Sequence, residues 1–340
     1  MGLACSAALP RAMSAPARPP GGRAPSSGED VAQRQEGTPV GAEAWPTRSI
    51  HVIVGSSAGG GADTVARLFA RAMYEPLGQS LVIENRGGAS GMIASNMVVH
   101  EKPDGYTVLY DAFASVINSI AHKLNYDFEK DLRPVSQAVN APSVMLVSTT
   151  SPYRSVQEFA AAARAQPGKI SFASGGIGGV AHFCGEMLMK YEGIKLIHVP
   201  YKGGAPAVVD LLGGRVDTYF GNVSSAIGYI RQGKLRPLAV TSGKRLSVLP
   251  EIPSFVELGY PEFVISDWNG FFLPGQTPEA IVQRLSKAVQ DVAREKPILE
   301  RLDTLGLGAV GSTPEEFRAF LADQAKRWSA LIKSNKIVLK

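Results

Sequence analysis

Ile50-His51-Val52-Ile53-Val54-Gly55-Ser56-Ser57-Ala58-Gly59-Gly60-Gly61-Ala62-Asp63 decides the fold. A β-branched apolar run stops at a small-residue turn. A helical pattern starts at once, with Val65, Leu68, Phe69, Ala72 and Met73 on one face. The stretch is strand, tight loop, helix. Glycines let the backbone bend and let a ligand approach. The free N–H groups of a helix start favour an anion. The loop therefore reads as one half of a carboxylate-binding site. It lacks the lysine of a phosphate loop, and Gly59-x-Gly61 is followed by Thr64 where a dinucleotide fingerprint needs glycine. The plainer alternative is a glycine turn that only packs the first helix on a sheet.

Outward from this stretch the alternation repeats. Leu81–Glu84 is a second strand, Asn85–Gly91 a flexible loop, Met92–Val99 a helix, and Tyr106–Tyr110 a strand after the turn Pro103-Asp104-Gly105. A new series starts beyond Arg133-Pro134. Ser143–Ser148 is a strand, and Ser155 caps a helix with Glu158 three residues on. Ile170–Ala173 is a strand leading into Ser174-Gly175-Gly176-Ile177-Gly178-Gly179 and a helix through His182 and Leu188. Strands at 196–199, 216–220 and 235–240 alternate with helices at 205–212 and 226–231. Such alternation predicts parallel α/β units. Two units then each present a glycine-rich strand-to-helix loop. If they face each other, two helix starts converge on one cleft and hold a carboxylate without lysine or metal.

From Glu262 the chain reads as a return to the first unit. Phe263–Pro274 is extended and aromatic-rich, Thr277 caps a helix with Pro278 in its first position, and Thr313-Pro314-Glu315-Glu316 opens the last helix. Its apolar face is Phe317, Phe320, Leu321 and Trp328. Crossings near 140 and 265 make a two-segment hinge. The predicted fold is α/β and two-lobed, each lobe a mostly parallel sheet flanked by helices. Residues 45–142 and 265–340 form one lobe and 143–264 the other.

Composition agrees. A chain of 340 residues is long enough for two lobes, and 45% apolar with 19% charged residues is that of a globular protein. The net charge of +5 comes without any Lys/Arg run, which argues against nucleic acid and fits an anionic small ligand. No apolar run approaches the ~20 residues that span a bilayer. Cys5 and Cys184 build neither a disulfide framework nor a metal site, and Cys184 reads as a small core residue. Residues 1–44, rich in Ala, Pro, Gly, Ser and Arg, read as a disordered or signal-like segment. Leu3–Leu9 is apolar but short, and Ala12-Met13-Ser14-Ala15 looks like the end of an export signal.

From about Trp45 onward the chain resembles the Bug-type solute-binding proteins of tripartite tricarboxylate transporters. The resemblance rests on Gly59–Asp63 with Arg67, Glu84–Gly91, Pro103–Thr107, Ser174–His182, Gly185-Glu186 and His198–Gly203. Further on it rests on Asp210–Gly214, Val216-Asp217, Gly233–Arg236, Leu249–Pro253, Trp268, Thr277-Pro278 and Thr313–Phe317. It implies a periplasmic Venus flytrap protein, monomeric, that captures a small carboxylate through loop backbone and water and delivers it to a membrane permease. It implies no catalysis, cofactor or metal. By matching positions, Ser57, Ala58, Gly60, Gly61 and Ala62 contact the ligand and Asp63 orders their loop. Ser174, Gly176, Gly178, Gly179, His182, Tyr201 and Asn222 supply the other side. This chain departs from the family at Gly55 and Ser56, where Pro and an aromatic are usual, at Gly179, where Ser or Thr is usual, and at Gly221, where Asp is common. A roomier, less acidic pocket is the resulting expectation.

The rival reading is an NAD(P)-dependent enzyme. Gly176-x-Gly178-x-x-Ala181 follows a strand, but Val199-Pro200-Tyr201-Lys202 stands where a ribose carboxylate belongs. Among single residues, His182 reads either as a helix histidine hydrogen-bonded under the loop or as a ligand contact. Ser174 lacks the Gly-x-Ser-x-Gly setting of a nucleophile. His198 reads as core or hinge, Trp268 as packing, and Asp267 as a solvated carboxylate.

Overall fold

The computed structural model describes residues 45–337 and 339. The expectations for the segment 1–44 and for Cys5 lie outside the described residues. In chain order the elements are β1 (Ile50–Val54), α1 (Gly61–Ala72), α2 (Tyr74–Leu77), β2 (Leu81–Asn85), α3 (Met92–Val99), β3 (Thr107–Ala112), α4 (Phe113–Ala121), α5 (Phe128–Asp131) and β4 (Leu132–Ser148). Then come α6 (Val156–Ala165), β5 (Ser171–Ser174), α7 (Val180–Glu192), β6 (Ile197–Pro200), α8 (Gly204–Leu212), β7 (Thr218–Asn222), α9 (Val223–Arg231) and β8 (Leu235–Val240). The return is β9 (Ser266–Pro274), α10 (Glu279–Arg294), α11 (Lys296–Thr304), β10 (Gly308–Ala309) and α12 (Pro314–Asn335).

Two lobes share one strand. In the first, β2, β1 and β3 run parallel, and β9 lies antiparallel between β3 and β4. In the second, β6, β5 and β7 run parallel, and β4 lies antiparallel between β7 and β8. The partners of β4 change at one point: Pro142 still pairs with Ser266 of β9, while Ser143 pairs with Asn222 of β7. Each parallel triad comes from βα units, whose crossovers demand parallel neighbours. The antiparallel strands are those that carry the chain across, so each sheet is mixed.

The strand expected over Ser143–Ser148 is therefore only the end of a longer one. Residues 132–142 escaped notice because β4 is covered on both faces and shows no alternation of buried and open positions. Thr277 is another correction. Its hydroxyl bonds back to the Pro274 carbonyl at 2.7 Å, and Pro278 occupies the cap position of α10. The Thr313 box is present as read, with Glu316 N–H donating to Thr313 Oγ1 and Thr313 N–H to Glu316 Oε2.

The alternation of β1 sorts its side chains between two cores. Val52 and Val54 join Phe69, Tyr110, Phe271 and Val289 under α1 and α10. Ile53 joins Val98, Phe113 and a larger cluster that continues through Leu146 to Phe183, Phe220 and Phe263. Trp328 of α12 is 1% exposed and sits edge-on to Phe113 of α4 and Phe183 of α7, each at 5.3 Å between ring centres. One indole thus packs the C-terminal helix against both lobes, and its Nε1–H is held by Gln324. Among the described residues no helix is long and apolar enough to cross a membrane. Trp328→Ala should cost about 3–5 kcal/mol by urea denaturation, the range for emptying a large aromatic site. A loss below 1 kcal/mol would show that this contact is dispensable.

Candidate ligand-binding site

The first loop is held by an acid. Asp63, 3% exposed in the first turn of α1, accepts the Gly59 N–H at 2.8 Å, Arg67 Nε at 3.0 Å and Asn85 Nδ2 at 3.0 Å. Asn85 Nδ2 also donates to the Ser56 carbonyl, tying β2 to the turn. Burial would raise the Asp63 carboxyl, but the bonds from Arg67, Gly59 and Asn85 together hold it below the usual carboxylate range. Ser57, Ala58 and Gly61 stay exposed on the outer side of the turn, and Gly60 and Ala62 partly so. Gly60 caps α1 with no side-chain bond.

The second loop is held from beneath by two histidines. Ser174 is fully buried. Its Oγ lies 2.7 Å from His198 Nε2 and 3.0 Å from the Gly176 carbonyl, and accepts the Gly176 N–H at 3.3 Å. His182 Nδ1 accepts the Gly178 N–H at 3.2 Å, and the two imidazoles stack at 4.1 Å and 9°. Burial first, and the neighbouring His182 second, push the His198 ring down to about 4, so it is neutral at physiological pH. A neutral ring with one acceptor nitrogen suits the Ser174 hydroxyl. His182 sits as a helix histidine under the loop, 3% exposed and bonded to the Gly178 N–H. The serine's partner is His198, not His182. A fully buried hydroxyl already engaged by its own loop is poorly placed as a nucleophile.

Gly176 and Gly178 adopt φ of +150° and +80°, which side chains resist, whereas Gly179 at −80° is ordinary backbone. Gly179 caps α7, again with no side-chain bond. Tyr201 adjoins the loop through its N–H to the Ser174 carbonyl, but its hydroxyl points to Asp210 at 2.7 Å. Burial and that carboxylate push the phenol up to about 12. No ribose partner appears at the end of β6, where Tyr201 is bound to Asp210 and Lys202 is exposed.

The loops are brought together through three elements. A Cβ on Gly61 would lie 3.9 Å from Ser224 Oγ of α9, and a Cβ on Gly178 3.2 Å from Ile117 Cγ2 of α4. Each loop thus faces an element of the opposite lobe. Asn222, which ends β7, lies 3.4 Å from Ser143 Oγ at the point where β4 changes partners. Among the described residues no group of three or more His, Cys, Asp or Glu is placed to hold a metal ion.

Two acids at this junction went unforeseen. Asp111, 5% exposed, accepts Ser95 Oγ at 2.8 Å and the Ala112 N–H at 2.9 Å. Asp267 accepts the N–H groups of Phe113 at 3.3 Å and Trp268 at 2.9 Å. Burial raises both carboxyls to about 6. Asp267, expected to be solvated, is partly exposed but also closes the start of α4. At two of the departures from the family pattern other side chains take the space. The room left by Gly55 is taken by Asp111, whose Oδ1 lies 3.0 Å from where a Cβ would stand. At Gly221 it is taken by the Tyr219 ring, at 2.7 Å. Neither acid follows a recognisable motif, and only the pairing of Asp111 with Gly270 three positions from Asp267 brings them near.

The geometry is that of two helix starts, uncapped by side chains, presented by opposite lobes. Over residues 65–337 the chain matches the model of the tripartite tricarboxylate transporter family receptor. The chain belongs to that family. It is 34% identical to the protein BugT of Bordetella pertussis over 305 residues, 89% of this chain and 94% of that one. Among solved structures it is similar to Rpa4515 of R. palustris with adipate, at 30% identity and TM-score 0.80 over 86% of this chain and 99% of that one. It is also similar to MatC of Rhodopseudomonas palustris with bound malate, at 30% identity and TM-score 0.76 over 85% and 100%. This family member is a solute-binding protein of the periplasmic type, with the two-lobed α/β fold of its relatives.

The sign of the acid effect follows from its direction. A carboxyl raised from 3.8 to about 6 by folding keeps its proton while the unfolded chain loses it, so its stabilising contribution is full below pH 4 and lost as pH rises through 6. Asp111→Asn should therefore stabilise the protein more at pH 8 than at pH 4, by on the order of 1–3 kcal/mol in urea melts. An equal effect at both pH values would mean that Asp111 is not protonated by burial.

Proposed function

We propose that this protein captures a small carboxylate in the cleft between the loops 57–63 and 174–179, for delivery to a tripartite-type membrane permease or for sensing. One observation carries the reading. The starts of α1 and α7 are capped by Gly60 and Gly179, and neither receives a side-chain hydrogen bond. Each helix start has free backbone N–H groups and about half a positive charge. Two of them facing one cleft suit one carboxylate. That the relatives named above hold adipate and malate supports the same chemistry.

In this reading Ser57, Ala58, Gly60, Gly61 and Ala62 meet the ligand from one lobe and Gly176, Gly178 and Gly179 from the other. Asp63, Ser174 and His182 act by holding those loops, and Tyr201 and Asn222 border the cleft. The lobes are residues 45–142 with 265–340, and 143–264, hinged where β4 and β9 cross. The protein acts as a monomer in the periplasm and performs no catalysis. Ligand bridging the lobes favours the closed arrangement over the open one.

Glycine positions with ordinary backbone angles offer the cleanest test. Gly60 has φ of −73°, and a Cβ there meets only the Ser57 carbonyl at 3.2 Å. Gly179, at −80°, meets the Gly176 carbonyl at 3.5 Å. Gly60→Asp and Gly179→Asp should each keep the fold by circular dichroism and weaken carboxylate binding at least a hundredfold in calorimetric titration, since like charge and lost backbone approach both oppose the ligand. The screen runs over mono-, di- and tricarboxylates, amino acids and aromatic acids. Unchanged affinity in either variant removes the two-loop reading.

A further inference from the structure

Asp267 lies on a path of contacts that runs between the two loops. Its Oδ1 accepts the N–H of Phe113, the first residue of α4, and the Asn222 side chain at the β7–α9 junction also bonds to its carboxyl. Two residues beyond Asn222, Ser224 Oγ faces Gly61 of the first loop; one turn beyond Phe113, Ile117 faces Gly178 of the second. The path Gly61, Ser224, Asn222, Asp267, Phe113, Ile117, Gly178 contains a single charged side chain.

That side chain is also open. Of its chain neighbours Trp268 is 0% exposed and Ser266 partly exposed, and Asp267 itself is partly exposed, although burial raises its carboxyl to about 6. The start of α4 differs from the starts of α1 and α7. Its Phe113 N–H is already taken by an acid, so it offers a ligand negative charge and not free N–H groups. Asp111 and Tyr110 of β3 are the titratable groups that feel Asp267, and no basic side chain is among the groups that set its charge. The residues that touch it from α4 and α9, Phe113 and Asn222, bring no charge.

Resting on the carboxylate reading above, we propose that Asp267 is the specificity-determining residue for the far end of the ligand. It selects a carboxylate whose other end carries an ammonium group, an amino acid, and disfavours a second carboxylate. The loops hold the carboxylate; Asp267 meets the ammonium. An ammonium beside a poorly hydrated carboxylate is attracted strongly, and a second carboxylate in that place is repelled or must take a proton.

Matched ligands test this with the intact protein. 6-Aminohexanoate is compared with adipate, 4-aminobutanoate with succinate, and hexanoate serves as the single-carboxylate control, each by titration calorimetry and thermal shift at pH 8 and pH 5. The amino acid of each pair should bind at least tenfold tighter than the diacid at pH 8. That ratio should fall at pH 5, as Asp267 takes a proton. Asp267→Asn, which keeps the carbonyl that Phe113 and Trp268 N–H groups need, should collapse the ratio at pH 8 and remove its pH dependence. Asp267→Ser gives the same reading if the amide misfolds, and since the diacids themselves take up protons toward pH 5, the pH dependence is read as the difference between wild type and variant.

Diacids binding as well as amino acids in the wild type, or a ratio that Asp267→Asn leaves unchanged, would overturn the assignment while leaving the carboxylate site intact. If no carboxylate binds, hexanoate included, the two-loop reading falls and this one with it.

Discussion

A strand that passes through two sheets must find partners for both of its edges along its whole length. Buried backbone N–H and C=O groups that go unpaired cost free energy comparable to a lost hydrogen bond. β4 meets that demand by changing neighbours: β9 and β10 serve its first part, β7 and β8 its last. Much of the architecture follows. β9 must return to the first lobe, because only an antiparallel strand there bonds both β3 and β4. The start of α9 must follow directly on β7, which brings Asn222 to the crossing. The elements facing the two glycine loops, α4 and α9, thus begin at strands that border this exchange.

The loops themselves are stiffened from behind, by means that differ with the charge available. The first uses an ionised acid. Asp63 with Arg67 and Asn85 supplies charge-assisted bonds, which are shorter and stronger than neutral ones. The second uses a serine, the neutral His198 ring stacked on His182, and three backbone contacts. A protonated His198 beside His182 would repel its neighbour, and burial prevents it. Both arrangements fix the loop backbone before a ligand arrives. Affinity lost to ordering is thereby reduced, and the ligand-facing surface is left to backbone atoms that carry no side-chain preference of their own. Selectivity must then come from elsewhere in the cleft.

How much of this was legible depends on range. The strand–loop–helix of 50–73 and the glycine loop of 174–179 were readable because period and turn chemistry are local signals. The Thr313 box was readable for the same reason. β4 was only half readable, since a strand buried on both faces loses the alternation that marks strands. Thr277 looked like a cap, and only the fold shows that its hydroxyl turns to Pro274. The partner of Ser174 could not be read, because His198 comes close only once β5 and β6 pair in register, Phe172 opposite His198. The acids at 111 and 267 are the hardest case. Each looks like an ordinary polar residue at a strand end, and their proximity arises from an antiparallel pairing between segments far apart in the chain.

The departures from the family pattern are tied to these acids by space. A glycine in place of a larger residue usually means a cavity, and sequence alone suggests one at 55. Here Gly55 and Gly91 approach the Asp111 carboxylate from two sides: a Cβ on either would come within 3.0 Å and 2.9 Å of its Oδ1. The missing side chain is the condition for a buried acid. Asp267 then adds repulsion to Asp111, whose own burial already favours the protonated form. A cationic group brought close to them stabilises the charged form of both, and a further anion stabilises the protonated form. In the reading proposed above, the chemistry of the ligand's far end reaches the backbone at Gly55 through Asp111.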